Sequence, residues 1–145
     1  MIDLTDIKYF KLDEILNAGS VKYKIEDIPE NLHKNIRPTL LVLDHIRDII
    51  GKPIFLNCTY RSYEHNLTCG GAPKSLHLKF NAIDWTIEDK NSLFDLYHQI
   101  DGQDRLGIFS NILPKNSLGL GFYKGRFIHL DTRRFLGLTM ARWNG

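Results

Sequence analysis

Two short stretches of strict alternation, NAIDWTI (81–87) and RFIHLDTR (126–133), carry ionisable side chains among core-type residues. A strand period of two puts Ala82, Asp84 and Thr86 on one face of the first, and Ile83, Trp85 and Ile87 on the other. In the second it gathers Phe127, His129, Asp131 and Arg133, with Ile128, Leu130 and Thr132 on the opposite, core face. Helical patterns come earlier in the chain and strands late, which predicts an α+β fold, an antiparallel sheet with helices packed on one side.

The helical patterns are specific. A short helix is expected over Leu12 to Asn17, ended by Gly19. Leu32, Ile36, Leu40, Leu43, Ile46 and Ile50 recur at steps of three and four and form one helical face. Pro38 interrupts that face, so a kink or a restarted helix with Pro38 in its first turn is predicted. PIFLNCTYR reads as a strand, and Ser62 to Cys69 as a short helix N-capped by Ser62 and stopped by Gly70-Gly71. Asp89 to Ile100 reads as a helix with Gly102 after it, followed by strands at RLGIF, SLGLGFY and RFIHLDTR, the last two joined at Lys124-Gly125.

With 145 residues and 43% hydrophobic content, the chain suits a single domain over 1–145. The net charge is +2 and no basic stripe exceeds Arg133-Arg134, which argues against a nucleic-acid partner. The mild positive balance is weak support for approach to an anionic polymer such as a cell wall. No apolar run of membrane-spanning length exists, so no membrane partner is expected, and a monomer is. MIDLTDIKYFKLDEIL lacks the pattern of a signal peptide, which predicts synthesis in a cytoplasm. Cys58 and Cys69 match no zinc-finger spacing and are expected to be reduced, half-buried thiols.

His77 and Asp84 in SLHLKFNAID, with His129 and Asp131, give two histidines and two aspartates flanked by apolar residues. A carboxylate in such a setting needs partners. A zinc ion would satisfy these groups together, since three such ligands leave one position for water. Spacing alone leaves the plainer readings open: hydrogen-bonded histidines, an Asp84 that caps a turn, and an exposed His129–Asp131 ion pair.

TYRSYEHNLTCGGAPKSLHLKFNAIDW resembles the signature of the zinc D-alanyl-D-alanine carboxypeptidase and peptidoglycan peptidase family, whose fold is shared with the hedgehog signalling domain. Tyr60, Arg61, Ser62, Asn66, Gly70, Gly71, Ala72, Ser75, His77, Ala82 and Asp84 fall on its motif positions. FIHLDTR is similar to the late His-x-Asp of the branch holding phage and bacterial murein peptidases, as is the closing Arg142-Trp143. The similarity runs from about Pro29 to the end.

The resemblance implies zinc bound by His77, Asp84 and His129. It implies that Arg61 holds a peptide carboxylate or carbonyl, a role suited to a guanidinium fork, the plainer alternative being a structural ion pair. Ser75 would donate a hydrogen bond near metal or substrate, or serve only as a turn residue after Pro73. Gly70-Gly71 would supply backbone freedom. Two positions depart from the pattern. The family glycine after the first ligand is Phe80, expected to reshape the loop or narrow the cleft. The usual general-base positions before the last ligand hold Arg126 and Phe127. Asp131 is then the candidate base, or a partner that orients a ligand histidine. The expected activity is zinc-dependent cleavage of peptidoglycan stem peptides or cross-links, as endopeptidase or carboxypeptidase, by an endolysin released at lysis or a wall-remodelling enzyme. Two rivals are a non-catalytic, metal-containing wall-binding module of the same fold and a cytoplasmic dipeptidase.

Overall fold

The computed structural model describes all 145 residues. Helix α1 (Leu12–Leu16) is a short turn that buries Ile15 and Leu16. A 3₁₀ segment, Glu30–Asn35, leads into α2 (Ile36–Ile50), so the long apolar face is carried by a restarted helix. Pro38 sits in its first turn, where the missing N–H has no intrahelical partner to lose. Gly51 ends the helix at a φ of 65°. Strand β1 (Phe55–Cys58) and α3 (Tyr63–Thr68) follow, with the Ser62 hydroxyl accepting the His65 N–H at 3.1 Å as N-cap. The remaining elements are β2 (Ala82–Thr86), α4 (Leu93–Leu106), β3 (Gly119–Tyr123), β4 (Phe127–Asp131) and β5 (Ala141–Asn144).

The five strands lie in the order β1-β2-β4-β3-β5. All neighbours are antiparallel except β3 and β5, which are parallel. Ile83 and Trp85 of β2, Ile128 and Leu130 of β4, and Leu120 of β3 join one core with Ile36, Leu40, Leu43 and Ile46 of α2 and Leu93, Leu96, Tyr97 and Ile100 of α4. The predicted core face of each strand is therefore the face that meets helices. No helix is long and apolar enough to cross a membrane.

Two expectations are corrected, and one strand is added. RLGIF is not a strand: α4 runs through Gly102 to Leu106 and ends at Gly107, whose φ is 78°. An interior glycine costs only about 1 kcal/mol against alanine. Against that, Asp104 in the extra turn accepts the backbone N–H groups of Ser117 and Leu118 and pairs with Arg142 at 2.7 Å. The expected antiparallel sheet is present across β1 to β4, and β5 is an unexpected fifth strand that joins its edge in parallel with β3. Its four residues ARWN carry no alternation to announce a strand. Cys69 is exposed rather than half-buried.

Phe80 also behaves differently from expectation. Its φ is 53°, in the left-handed region where glycine is easiest, so the turn keeps the shape the family glycine implies. The ring is fully buried and meets Tyr60 edge-on, with centroids 6.0 Å apart. It fills core and does not narrow the cleft. Phe80→Gly should therefore destabilise the protein despite relieving about 1–2 kcal/mol of backbone strain. Emptying a buried phenylalanine site costs about 3–5 kcal/mol. Urea unfolding should show a net loss of about 1–4 kcal/mol, and an unchanged or higher midpoint would show that the strain dominates.

Candidate metal centre

Strand pairing builds most of the site. Cys58 lies opposite Asp84, Asp84 opposite His129, and His129 opposite Gly121. Gly121 in turn pairs with Trp143 on β5. Paired residues project to the same face, so this row crosses the sheet on the side away from the helices. A second row, Ala82, Asp131, Gly119 and Ala141, runs beside it.

His77 arrives from outside the sheet, on a turn in which Leu78, Lys79 and Phe80 donate their N–H groups to the carbonyls of Ser75, Leu76 and His77. Two ties fix that turn. The Arg61 N–H donates to the His77 carbonyl at 3.1 Å, joining the turn to the segment after β1. The buried Asn81 amide donates to Thr132 Oγ1 at 2.9 Å and its Oδ1 accepts the Thr132 N–H at 3.2 Å, joining it to the end of β4.

The result is a convergence on Asp84. His77 Nε2 lies 3.1 Å from one carboxylate oxygen and His129 Nδ1 lies 3.0 Å from the other. His77 Nε2 is buried without a hydrogen-bond partner, so its approach to Asp84 has the distance of a hydrogen bond but not the direction. The other ring nitrogen, Nδ1, lies 2.8 Å from the Thr59 carbonyl. A carbonyl only accepts, so Nδ1 carries a proton and, in the neutral ring, Nε2 keeps its lone pair towards Asp84. Burial opposes the charged form of His77, but the Asp84 carboxylate and Cys58 outweigh it and hold its pKa well above the ordinary value. Burial likewise works against the Asp84 anion, and His77 and His129 outweigh it, so its pKa is lowered. An imidazole nitrogen left without a hydrogen bond, able to coordinate once its proton is displaced, a second imidazole nitrogen and a shared carboxylate make a donor set that fits zinc.

Cys58 belongs to this cluster too. Its Sγ and the ligand atoms of His77 and Asp84 all lie within 4.8 Å of one another. The sulfur is 3.6 Å from His77 Nδ1, the nitrogen turned to Thr59. Sequence reading treated Cys58 as a plain thiol. The signal that could have found it is its place on the strand paired with β2.

Asp131 is fully buried. One oxygen meets His129 Nε2 at 2.8 Å and Arg133 Nη2 at 2.8 Å, and the other accepts from Arg133 Nε at 2.9 Å and from its backbone N–H at 3.1 Å. Burial raises its pKa, but His129 and Arg133 overcome this and hold it at about 2. Two glycines make this arrangement possible. A Cβ on Gly119 would stand 2.4 Å from the Asp131 carboxylate, and one on Gly121 would stand 2.4 Å from the Trp143 indole. Trp143 thereby reaches His129, with ring centroids 4.9 Å apart. The GLG of β3 was read only as strand sequence. Alternate glycines facing one side were the available sign of crowding there.

Arg61 sits 3.6 Å from Asp84 through one guanidinium nitrogen and donates to Asn66 Oδ1 at 3.2 Å through another. Asn66 donates onward to the Ala72 carbonyl at 3.0 Å. A Cβ on Gly71 would lie 2.0 Å from Asn66 Oδ1, so this glycine supplies space, whereas Gly70, at a φ of 71°, supplies backbone freedom. The motif residues Arg61, Asn66, Gly71 and Ala72 thus form one clasp. Ser75 Oγ accepts the His77 N–H at 3.3 Å. Arg61, Ser75, His77, Asp84, His129 and Asp131 all line a single cleft of about 670 Å³.

Comparison with known families adds a finding independent of this geometry. A family model described as Peptidase M15 matches residues 8–131. The match begins well before Pro29 and stops at Asp131, so β5 and its Arg142-Trp143 lie outside it. No curated protein gives a significant match.

Proposed function

Because the chain belongs to the Peptidase M15 family, we propose that it is a zinc-dependent peptidase that cleaves peptidoglycan stem peptides or cross-links, in lysis or in wall remodelling. The observation that carries this reading is the buried, unpartnered Nε2 of His77 beside a carboxylate shared with His129. His77 Nε2, Asp84 and His129 Nδ1 would hold the metal. The chemistry that zinc supplies when bound is Lewis acidity, which polarises a carbonyl and brings the pKa of water to about 7.

The chain's own residues do the rest. Thr59 fixes the His77 tautomer through Nδ1. Asp131 takes the proton-bearing Nε2 of His129 and, gripped by Arg133, sets the ring so that Nδ1 faces Asp84. A carboxylate with a pKa near 2 is a poor proton acceptor at neutral pH, so orientation suits Asp131 better than general-base work. Arg61, held in the cleft by Asn66, would bind the substrate carboxylate or the carbonyl oxygen as charge develops on it. Ser75 braces the His77 turn and presents its hydroxyl to the cleft.

One observation favours a second reading, a metal-containing wall-binding module of the same fold. Asp84 and Asp131 are the only carboxylates lining the cleft, and both oxygens of each are engaged. Metal analysis and product masses on purified muropeptides separate the readings. One zinc per chain with cleavage inside stems or cross-links is the expected result. Zinc with tight binding but no product would favour the module, and cleavage of free dipeptides alone would favour a dipeptidase. Cys58→Ser should keep one zinc per chain. Its loss would move Cys58 into the ligand set.

A further inference from the structure

The charges lining the cleft do not balance. Arg61, Lys74, Arg126 and Arg133 face it, against Asp84 and Asp131. Asp131 neutralises Arg133, and Asp84 lies beside Arg61. Lys74 and Arg126 pair with no carboxylate in the molecule. Arg126 also lines an adjoining hollow of about 470 Å³, shared with Lys90, where Asp84 is again the sole carboxylate.

Arg126 is built into the site. Its backbone N–H closes the β3–β4 turn on the Tyr123 carbonyl at 2.9 Å. Its guanidinium lies 5.2 Å from the centre of the Phe127 ring, and that ring stacks on Tyr123 with centroids 4.3 Å apart. The Tyr123 hydroxyl accepts the Trp143 indole N–H at 3.0 Å, and Trp143 packs on His129. A chain of rings thus runs from the ligand histidine to a guanidinium that no anion inside the protein satisfies. An arginine held over an aromatic face keeps its in-plane N–H donors free for a planar partner such as a carboxylate.

We propose that the cleft selects acidic peptides, with Arg126 binding a free carboxylate of the substrate and Lys74 adding attraction. Peptides whose carboxylate is converted to a carboxamide are then poorer ligands. The proposal rests on the peptidase reading for the bond that is cut, but the selection is a property of binding and can be read without turnover.

The test uses the zinc-loaded full chain and two synthetic stem-type peptides that differ only in a glutamyl carboxylate or its carboxamide. Affinity is measured by calorimetry and hydrolysis by product mass. The wild type should bind the acid form about two- to fivefold more tightly, the range of a solvent-accessible ion pair. Arg126→Gln, a change at an exposed turn residue, should bring the two affinities together. Lys74→Gln should narrow the gap less, and added salt should narrow it in the wild type. Equal affinities in the wild type, no binding of either peptide, or an Arg126→Gln variant that weakens both forms alike would overturn the proposal. If the acid form is preferred through Arg126 but neither peptide is cut, the peptidase reading falls and the selection stands. If both are cut and bound alike, the selection falls and the peptidase reading stands.

Discussion

His77→Ala should leave the protein without stoichiometric zinc and lower hydrolysis by about 10³-fold or more, since Lewis-acid stabilisation is worth several kcal/mol. The reason is specific to this nitrogen. Nε2 is the buried atom with no hydrogen-bond partner, whereas Nδ1 is satisfied by the Thr59 carbonyl. Removal of the ring therefore takes away a donor that the folded protein does not otherwise use. The ring also carries structural contacts, so thermal melting of the metal-free variant should be recorded beside its zinc content. A variant that melts near wild type yet binds no zinc places His77 among the ligands. One that keeps a full equivalent of zinc would remove it from the site.

Asp131→Asn should fail in another way. Asparagine keeps the shape of aspartate but presents an NH₂ where Asp131 now accepts from His129 and Arg133. Zinc affinity should fall by about 10–100-fold, the usual cost of losing a group that orients a ligand. The metal-free fold should suffer as well. The folded pKa of about 2 lies below the ordinary 3.8, so the anion contributes stability that is present above about pH 4 and is lost as pH falls through 2. That contribution is about 2–3 kcal/mol, and the half-buried Arg133 guanidinium left without its anion adds to the loss. The variant should thus be less stable at pH 7, and its stability should vary less with pH between 4 and 2. Normal zinc affinity with turnover reduced about 10²–10⁴-fold would instead identify Asp131 as the general base.

The sequence was most informative where periodicity and chemistry coincided. In β2 and β4 the period of two separated core residues from Asp84, His129 and Asp131, and the sheet sets Asp84 opposite His129 with Asp131 beside them opposite Ala82. The restart of α2 with Pro38 in its first turn was legible because proline has one rule and the helix obeys it. What escaped notice depended on partners distant in sequence. The length of α4 is decided by Asp104, whose acceptors serve Ser117 and Leu118 and whose charge meets Arg142. Strand β5 exists because β3 offers it an edge, and the ARWN segment shows none of this locally. Cys58 entered the candidate site only through its cross-strand partner, and Arg133 emerged as the grip on Asp131 only once both side chains had positions. The Phe80 departure was misjudged for a similar reason. A backbone angle reveals what a residue costs, but only the packed core reveals what it gives back.

The row of paired residues across the sheet has a consequence for the order of assembly. Asp84 and His129 sit on adjacent strands, β2 and β4, each hydrogen-bonded on both sides within the sheet. Their spacing is therefore set by backbone register before any ion arrives, and the turn bearing His77 is tied down separately at Arg61 and Asn81. Metal uptake at the proposed site would then resemble the loading of a finished socket more than the closing of a floppy loop, in contrast to small domains that are unfolded until they are metallated. A chelator would silence such a protein and leave it standing, ready to be reloaded.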